Sequence, residues 1–263
     1  MPPLHQPPAD ATERFGNRVT DYVRSRPGYP PEVIELLRQR CGLSPTSIVA
    51  DVGAGTGIFT RLLLEAGAGV VYAVEPNGPM HEALIAALGQ DVRLRTHPGT
   101  AEHTGLTRAS VDLIVAAQAF HWFDREKTRV EFARILRPRG WVALVWNTRR
   151  EDTTPFLRAY EELLRRWSPD YLQVNHRRIG LETIAPFFAP DPVERHTFST
   201  HQEFDFEGVR GRLLSSSYAP GPEHPHHQPM LAALREIFDA NQAEGRVRFE
   251  YETEVYLGRF ASG

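Results

Sequence analysis

The sequence predicts an α/β fold in which a mostly parallel sheet carries helices on both faces, and three observations lead to it. Between Ser47 and Asn147, short apolar runs alternate with segments of helical period in a strand, helix, strand rhythm. Runs such as SIVADVG and VDLIVAAQ are apolar at nearly every position, as strands buried on both faces are. The first run ends in a glycine-rich turn that leads directly into a helix. With 263 residues and 41% hydrophobic content, the chain can bury a full core.

Residues 1–14 hold four prolines and few apolar side chains and read as a disordered leader. Residues 30–43 read as a helix opened by proline, with Val33, Ile34, Leu36, Leu37 and Cys41 on a broad face and Gly42 at its end. Strand SIVADVG, helix IFTRLLLEAG, strand VVYAVEP, helix MHEALIAALG and strands VRLRTH and VDLIVAAQ follow. Pro138 and Gly140 then stop helix REKTRVEFARIL before a fifth strand that starts at Trp141. Residues 15–150 thus form the core with an N-terminal lid.

After Asn147 the rhythm breaks. Helices at 155–167 and 180–188 make a helical cap of residues 151–190, and residues 191–263 return to the core. Strand character at Val193 to Phe198, a helix in EGVRGRLLSSSY and a helix at 229–243 precede a last strand. In that strand Val247, Phe249, Tyr251, Thr253, Val255 and Leu257 share one face and mostly charged residues the other. Phe204, Phe206 and the run from Leu213 to Tyr218 either line the cap or are ordinary core.

A net charge of −3 gives no basic excess for a nucleic-acid backbone or an anionic membrane, and no apolar run approaches the roughly 20 residues that span a bilayer. A single cysteine, Cys41, and an opening without a signal-peptide pattern favour a cytoplasmic setting. The histidines His224, His226 and His227 sit in a proline-flanked loop without metal-ligand spacing, so no metal is expected.

The turn Asp51-Val-Gly-Ala-Gly-Thr-Gly57 must bring backbone close to a ligand, and Gly53, Gly55 and Gly57 give the clearance. It misses the dinucleotide fingerprint G-x-G-x-x-G in both registers, because the sixth positions are Ile58 and Thr60. Glu75 ends the second strand about 20 residues later, where an acid accepts both hydroxyls of a ribose, a placement that NAD enzymes share.

The D-x-G-x-G-x-G spacing resembles the first motif of class I S-adenosylmethionine (SAM) methyltransferases. Asn77-Gly-Pro-Met80, Gly99-Thr-Ala-Glu102 and Ser110-Val-Asp-Leu-Ile-Val-Ala-Ala-Gln118 are similar to the family's later motifs, in family order. Ala117-Gln-Ala-Phe-His-Trp-Phe-Asp124, with Arg134 to Asn147 behind it, narrows the resemblance to the type 11-like small-molecule group that includes trans-aconitate methyltransferase-related proteins. Phe15, Tyr22 and Arg26-Pro-Gly-Tyr-Pro30 look like that group's N-terminal element. The match is strong over residues 15–150, with one departure at Arg139, where many relatives have glycine.

The resemblance implies a Rossmann-like, seven-stranded, mostly parallel sheet, with the sixth strand near 193–198 and an antiparallel seventh near 247–258. It implies SAM as cofactor, S-adenosylhomocysteine as product, and a small-molecule acceptor for a monomer or homodimer. Gly53, Ala54, Gly55 and Gly57 would lie beneath the methionine part, and Glu75 and Pro76 beside the ribose. Met80 would pack on the adenine, with Ala101 and Glu102 at its edge. Gln118 would contact the cofactor, and Tyr22 and Arg26 would close over it.

Asp51 either polarises the glycine turn or reaches the cofactor's amino group indirectly, while Asp112 reads as a strand-end structural residue. His121 is the candidate general base, needed only if the nucleophile carries a proton; it can equally orient the loop or bind the cofactor's carboxylate. Trp122 and Phe123 wall the pocket, or Phe123 packs in the core. Asn147, Arg149 and Arg150 either face an anionic acceptor or are solvated. The acceptor atom is an oxygen of a carboxylate or hydroxyl. The alternatives are carbon or nitrogen of a quinone, polyketide or amine, and a SAM-binding protein without transfer activity.

Overall fold

The computed structural model describes residues 28–168, 171, 180–216 and 218–260. Phe15, Tyr22 and Arg26 lie outside the described residues. Helix α1 (Pro31–Cys41) precedes β1 (Ile48–Val52), α2 (Ile58–Glu65), β2 (Val70–Val74), α3 (Gly78–Leu88), β3 (Leu94–His97) and β4 (Val111–Ala117). Helix α4 (Arg125–Ile135), β5 (Leu136–Arg149), α5 (Pro155–Trp167), α6 (Leu181–Phe188), β6 (Val193–Phe204), α7 (Phe206–Leu214), α8 (His227–Asn241) and β7 (Val247–Gly258) complete the order.

The seven strands form one sheet in the order β3-β2-β1-β4-β5-β7-β6. Strands β1 to β5 run parallel, and β7 is antiparallel to both β5 and β6. The sheet is therefore the Rossmann-like one expected. Successive side chains point to opposite faces of a strand, and both faces are buried. Val49, Leu113, Val115, Ala143 and Val145 meet Val33, Leu37 and Leu63 on one side. Ala50, Ile114, Ala116, Val142 and Leu144 meet Phe132, Phe187 and Phe188 on the other. Asp112 is structural, as its strand position suggests: Oδ2 accepts from Ile48 N at 2.8 Å and Oδ1 from Arg137 at 2.9 Å.

The fifth strand differs from the expectation. It begins at Leu136, directly after α4, and Pro138 and Gly140 lie inside it. Register passes from Val111 opposite Leu136 to Leu113 opposite Trp141, so residues 137–140 bulge from the ladder instead of ending a helix. Arg139 stands in this bulge, exposed and in the left-handed region at φ 67. A side chain there costs roughly 1–2 kcal/mol, partly offset by the greater unfolded-state entropy of glycine. Arg139→Gly is therefore expected to raise the unfolding free energy by about 0.5–1 kcal/mol in urea denaturation; an unchanged or lower midpoint would show that the bulge holds arginine without strain.

A third apolar cluster gathers α5, α7, α8 and the first half of β7 around Phe156, Tyr160, Leu164, Leu213, Phe238 and Phe249. Residues 151–190 are divided between clusters. Helix α5 belongs to this third one, whereas α6 sends Ile184, Phe187 and Phe188 into the core beneath α4. Phe204, Phe206 and Tyr218 pack at the margin of the third cluster. No helix among the described residues is long and apolar enough to cross a membrane.

Candidate functional site

The glycine turn leaves β1 at the carboxyl edge of the sheet and is pinned to β2, with Gly53 N and Ala54 N donating to Val74 O at 2.8 and 3.1 Å. Glu75 joins three elements. Its Oε2 accepts from Gly55 N and its Oε1 from Asn77 N, both at 2.8 Å, while Asn77 Oδ1 caps α3 by accepting from Met80 N at 3.0 Å. A carboxylate has about four acceptor sites, so these bonds leave Glu75 capacity for hydroxyl donors. Burial pushes its pKa up, against the pull of the two backbone donors.

Two of the glycines have different reasons to be glycine. A Cβ on Gly53 would lie 2.5 Å from Ala119 Cβ, so the loop after β4 rests directly on the turn. Among the described residues a Cβ on Gly55 would find nothing closer than Met80 Sδ at 3.9 Å, so they leave that side of the turn open. Gly57 caps α2, and Pro76 stands exposed beside buried Glu75.

Asp51 is fully buried beneath the turn. Its Oδ2 accepts from Thr60 Oγ1 at 2.6 Å, while Oδ1 has no partner among the described residues. Burial pushes its pKa up to about 7, the Thr60 hydrogen bond opposing and the charge of Glu75 adding to the rise. Thr56 Oγ1 in the turn is likewise buried and without a partner among the described residues. Unsatisfied buried polar atoms beside open backbone are what a polar ligand would complete.

The loop after β4 begins at Gln118, which takes the left-handed region at φ 57. Its N–H donates to Val145 O and its Nε2 to Asn147 O, both at 2.8 Å. A short 3-10 turn, Phe120–Trp122, is anchored by buried Phe120, whose ring meets Phe187 at 4.7 Å and Trp146 at 6.1 Å. That leaves His121 and Trp122 half-buried, with ring centroids 4.8 Å apart. Phe123 packs edge-on against Phe120 and Phe132, a core role, and its ring also borders Gly53. Glu102 Oε1 accepts from Asp124 N at 2.8 Å and ties down the far end of the loop, next to buried Ala101.

The structure thus brings Asp51, Gly53, Gly55, Glu75 and Met80 into one contact set, with the Gln118–Trp122 loop resting on it through Ala119. Among the described residues it does not join Gln118 and Glu102 to the turn directly; their side chains bond Asn147 and Asp124.

Asn147 joins more elements than its sequence position suggested. Its backbone O holds Gln118, its Oδ1 accepts from Thr253 Oγ1 on β7, and its Nδ2 donates to Gly28 O at 2.8 Å. Arg149 ends β5, Arg150 follows it, and both pair with carboxylates. Arg149 is 10% exposed and bonds Glu161 at 2.7 Å and Tyr171 Oη at 3.2 Å, while Arg150 bonds Glu252 at 2.8 Å. Arg149 is not the solvated arginine expected, because β5 runs past Asn147 and carries it against α5, whereas Arg150, its side chain 40% exposed, pairs with Glu252 of β7 at the surface. No three His, Cys, Asp or Glu among the described residues converge on a metal position.

Residues 50–144 match the family model described as "Methyltransferase domain". The chain is 46% identical to an uncharacterized methyltransferase of Mycobacterium tuberculosis over 54% of this chain and 55% of that one. It spans about half the length of the first such relatives. An uncharacterized methyltransferase of a Geobacillus species is 31% identical over 56% of this chain and 72% of its own length. A solved structure from Anaeromyxobacter dehalogenans, whose assignment as a type II methyltransferase is itself inferred, is 25% identical and covers 89% of this chain and 97% of its own, with a TM-score of 0.65.

Proposed function

This chain belongs to the methyltransferase-domain family, and from that premise we propose that it transfers a methyl group from SAM to an oxygen of a small molecule, in a cytoplasmic setting as a monomer or homodimer. The observation that carries the reading is the open side of Gly55, bordered among the described residues by Met80 Sδ at 3.9 Å, with Glu75 holding the Gly55 N–H and the buried Oδ1 of Asp51 in the preceding strand without a partner among those residues. These residues fit the cofactor: a ribose needs acceptors for two hydroxyls, an adenine needs an apolar face, and an amino group needs an anion.

In this reading Gly53, Ala54, Gly55 and Gly57 support the methionine part, Glu75 accepts from the ribose, and Pro76 stands at its side. Met80, Ala101 and Glu102 face the adenine, and Gln118, His121, Trp122, Tyr22 and Arg26 enclose the reacting end. When bound, SAM supplies a methyl group already activated by its positive sulfur. The chain's own work is positioning: it holds an acceptor lone pair in line with the methyl carbon and keeps water out. A ring nitrogen of His121 takes the proton of a hydroxyl acceptor, whereas a carboxylate acceptor needs no base.

Calorimetric titration with S-adenosylhomocysteine tests the cofactor site. Binding by the wild type is expected, weakened at least about tenfold, roughly 1.4 kcal/mol, in Glu75→Ala. Equal affinity in the two proteins would remove Glu75 from the ribose, and no binding to the wild type would end the reading. Methyl transfer to an acceptor panel separates an enzyme from a SAM-binding protein that does not turn over.

A further inference from the structure

Arg212 on α7 is half-buried and, among the described residues, lacks the carboxylate partner that Arg149 has. Its Nε donates to Tyr251 Oη at 3.2 Å, and its Cζ lies 5.9 Å from the centroid of the same ring. Among the described residues no carboxylate stands within ion-pair distance of it, whereas Arg149, directly across the ladder from Tyr251, is held by Glu161 at 2.7 Å. Arginine stays protonated in proteins, and a charge withdrawn from water without a counterion is costly. The surroundings of Arg212 hold phenols instead. Tyr160, 2% exposed, and Tyr218 stand near it, as Tyr251 does, and Arg149 stacks over Tyr160 at 5.1 Å.

The place matters as much as the chemistry. Tyr251 pairs with Arg149 at the carboxyl edge, two residues beyond Asn147, whose carbonyl holds Gln118. Strand β7 lies two strand spacings, about 10 Å, from β4 and the loop that carries His121. That separation suits one small molecule reaching both.

We propose that Arg212 anchors a carboxylate of the methyl acceptor among Tyr160, Tyr218 and Tyr251, and that the methylated atom is a different one on the same molecule. The inference rests on the methyl-transfer reading for the fate of the acid, but not for its binding. Charge-assisted hydrogen bonds draw electron density from the carboxylate oxygens, which makes the anchored group a poorer nucleophile than a free hydroxyl or a second carboxylate.

The test titrates the full chain, with and without S-adenosylhomocysteine, with benzoate, cinnamate and glutarate and with the matching primary amides at constant ionic strength. The wild type is expected to bind at least one acid about tenfold or more tighter than its amide. Arg212→Met is expected to erase that preference, Arg212→Lys to restore part of it, and both to bind S-adenosylhomocysteine as the wild type does. Equal affinity for acid and amide in every wild-type pair, or a preference that persists in Arg212→Met, overturns the anchor. The wild-type comparison decides the matter even if Arg212→Met does not fold. An acid preference in a protein that fails to bind S-adenosylhomocysteine leaves the anchor standing and removes the methyl-transfer reading.

Discussion

Gly53→Ala is expected to lower the unfolding free energy by about 2–4 kcal/mol, and Gly55→Ala by only about 1–2 kcal/mol. Both residues have positive φ, 74 and 57, so both variants carry the left-handed cost of a side chain. Only at position 53 does the new methyl meet a wall, Ala119 Cβ at 2.5 Å, and only there is overpacking added. Binding should rank the other way. The methyl of Gly55→Ala enters the open side of the turn and is expected to weaken S-adenosylhomocysteine at least tenfold in a protein that is still folded, about 1.4 kcal/mol. Urea denaturation and calorimetry on the two variants give both rankings. If Gly55→Ala binds as the wild type does, the ligand does not lie over this turn.

A second large effect is expected from pH. Burial pushes the folded pKa of Asp51 up to about 7, against an ordinary 3.8. Below the lower value both states hold the proton, and the folded state carries no penalty. Between the two values the unfolded chain releases its proton and the folded one does not, so stability falls as pH rises, by about 1.4 kcal/mol per unit. Above pH 7 the loss is complete. From pH 5 to pH 8 the ligand-free protein should lose about 2–3 kcal/mol relative to Asp51→Asn, which keeps an acceptor for Thr60 and has nothing to titrate. Denaturation midpoints of the two proteins across that range check it, and parallel profiles would mean that Asp51 is ionised in the folded state throughout. A ligand ammonium near Oδ1 would favour the ionised form, so S-adenosylhomocysteine should tighten from pH 6 to pH 8 in the wild type and not in Asp51→Asn.

What could be read in advance depended on how local the signal was. The parallel core was legible because strands buried on both faces are apolar throughout, and β7 because one of its faces is polar, so it alternates. The link from the glycine turn to Glu75 was legible as spacing. The start of β5 was not, because Pro138 and Gly140 are the usual marks of a helix end and nothing local distinguishes a bulge. The fate of Arg149 was hidden because its partner Glu161 is on another element, and nothing near Asn147 announces contacts with Gly28, Gln118 and Thr253. That no carboxylate among the described residues pairs with Arg212 is a property of space alone. Leucine and arginine spacing in α7 describes an ordinary amphipathic helix.

The position of β7 between β5 and β6 governs how the molecule is assembled on the ribosome. Among the described strands β6 pairs only with β7, over its whole length from Val193 to Phe204, yet leaves the ribosome before it. Strands β1 to β5 can zip together as they emerge, since each finds its neighbour among segments already made. The outer edge of β5 and all of β6 must then wait, with their backbone groups solvated, until residues 247–258 are synthesised. The final two strands join the sheet together, and with them come Tyr251 and Thr253.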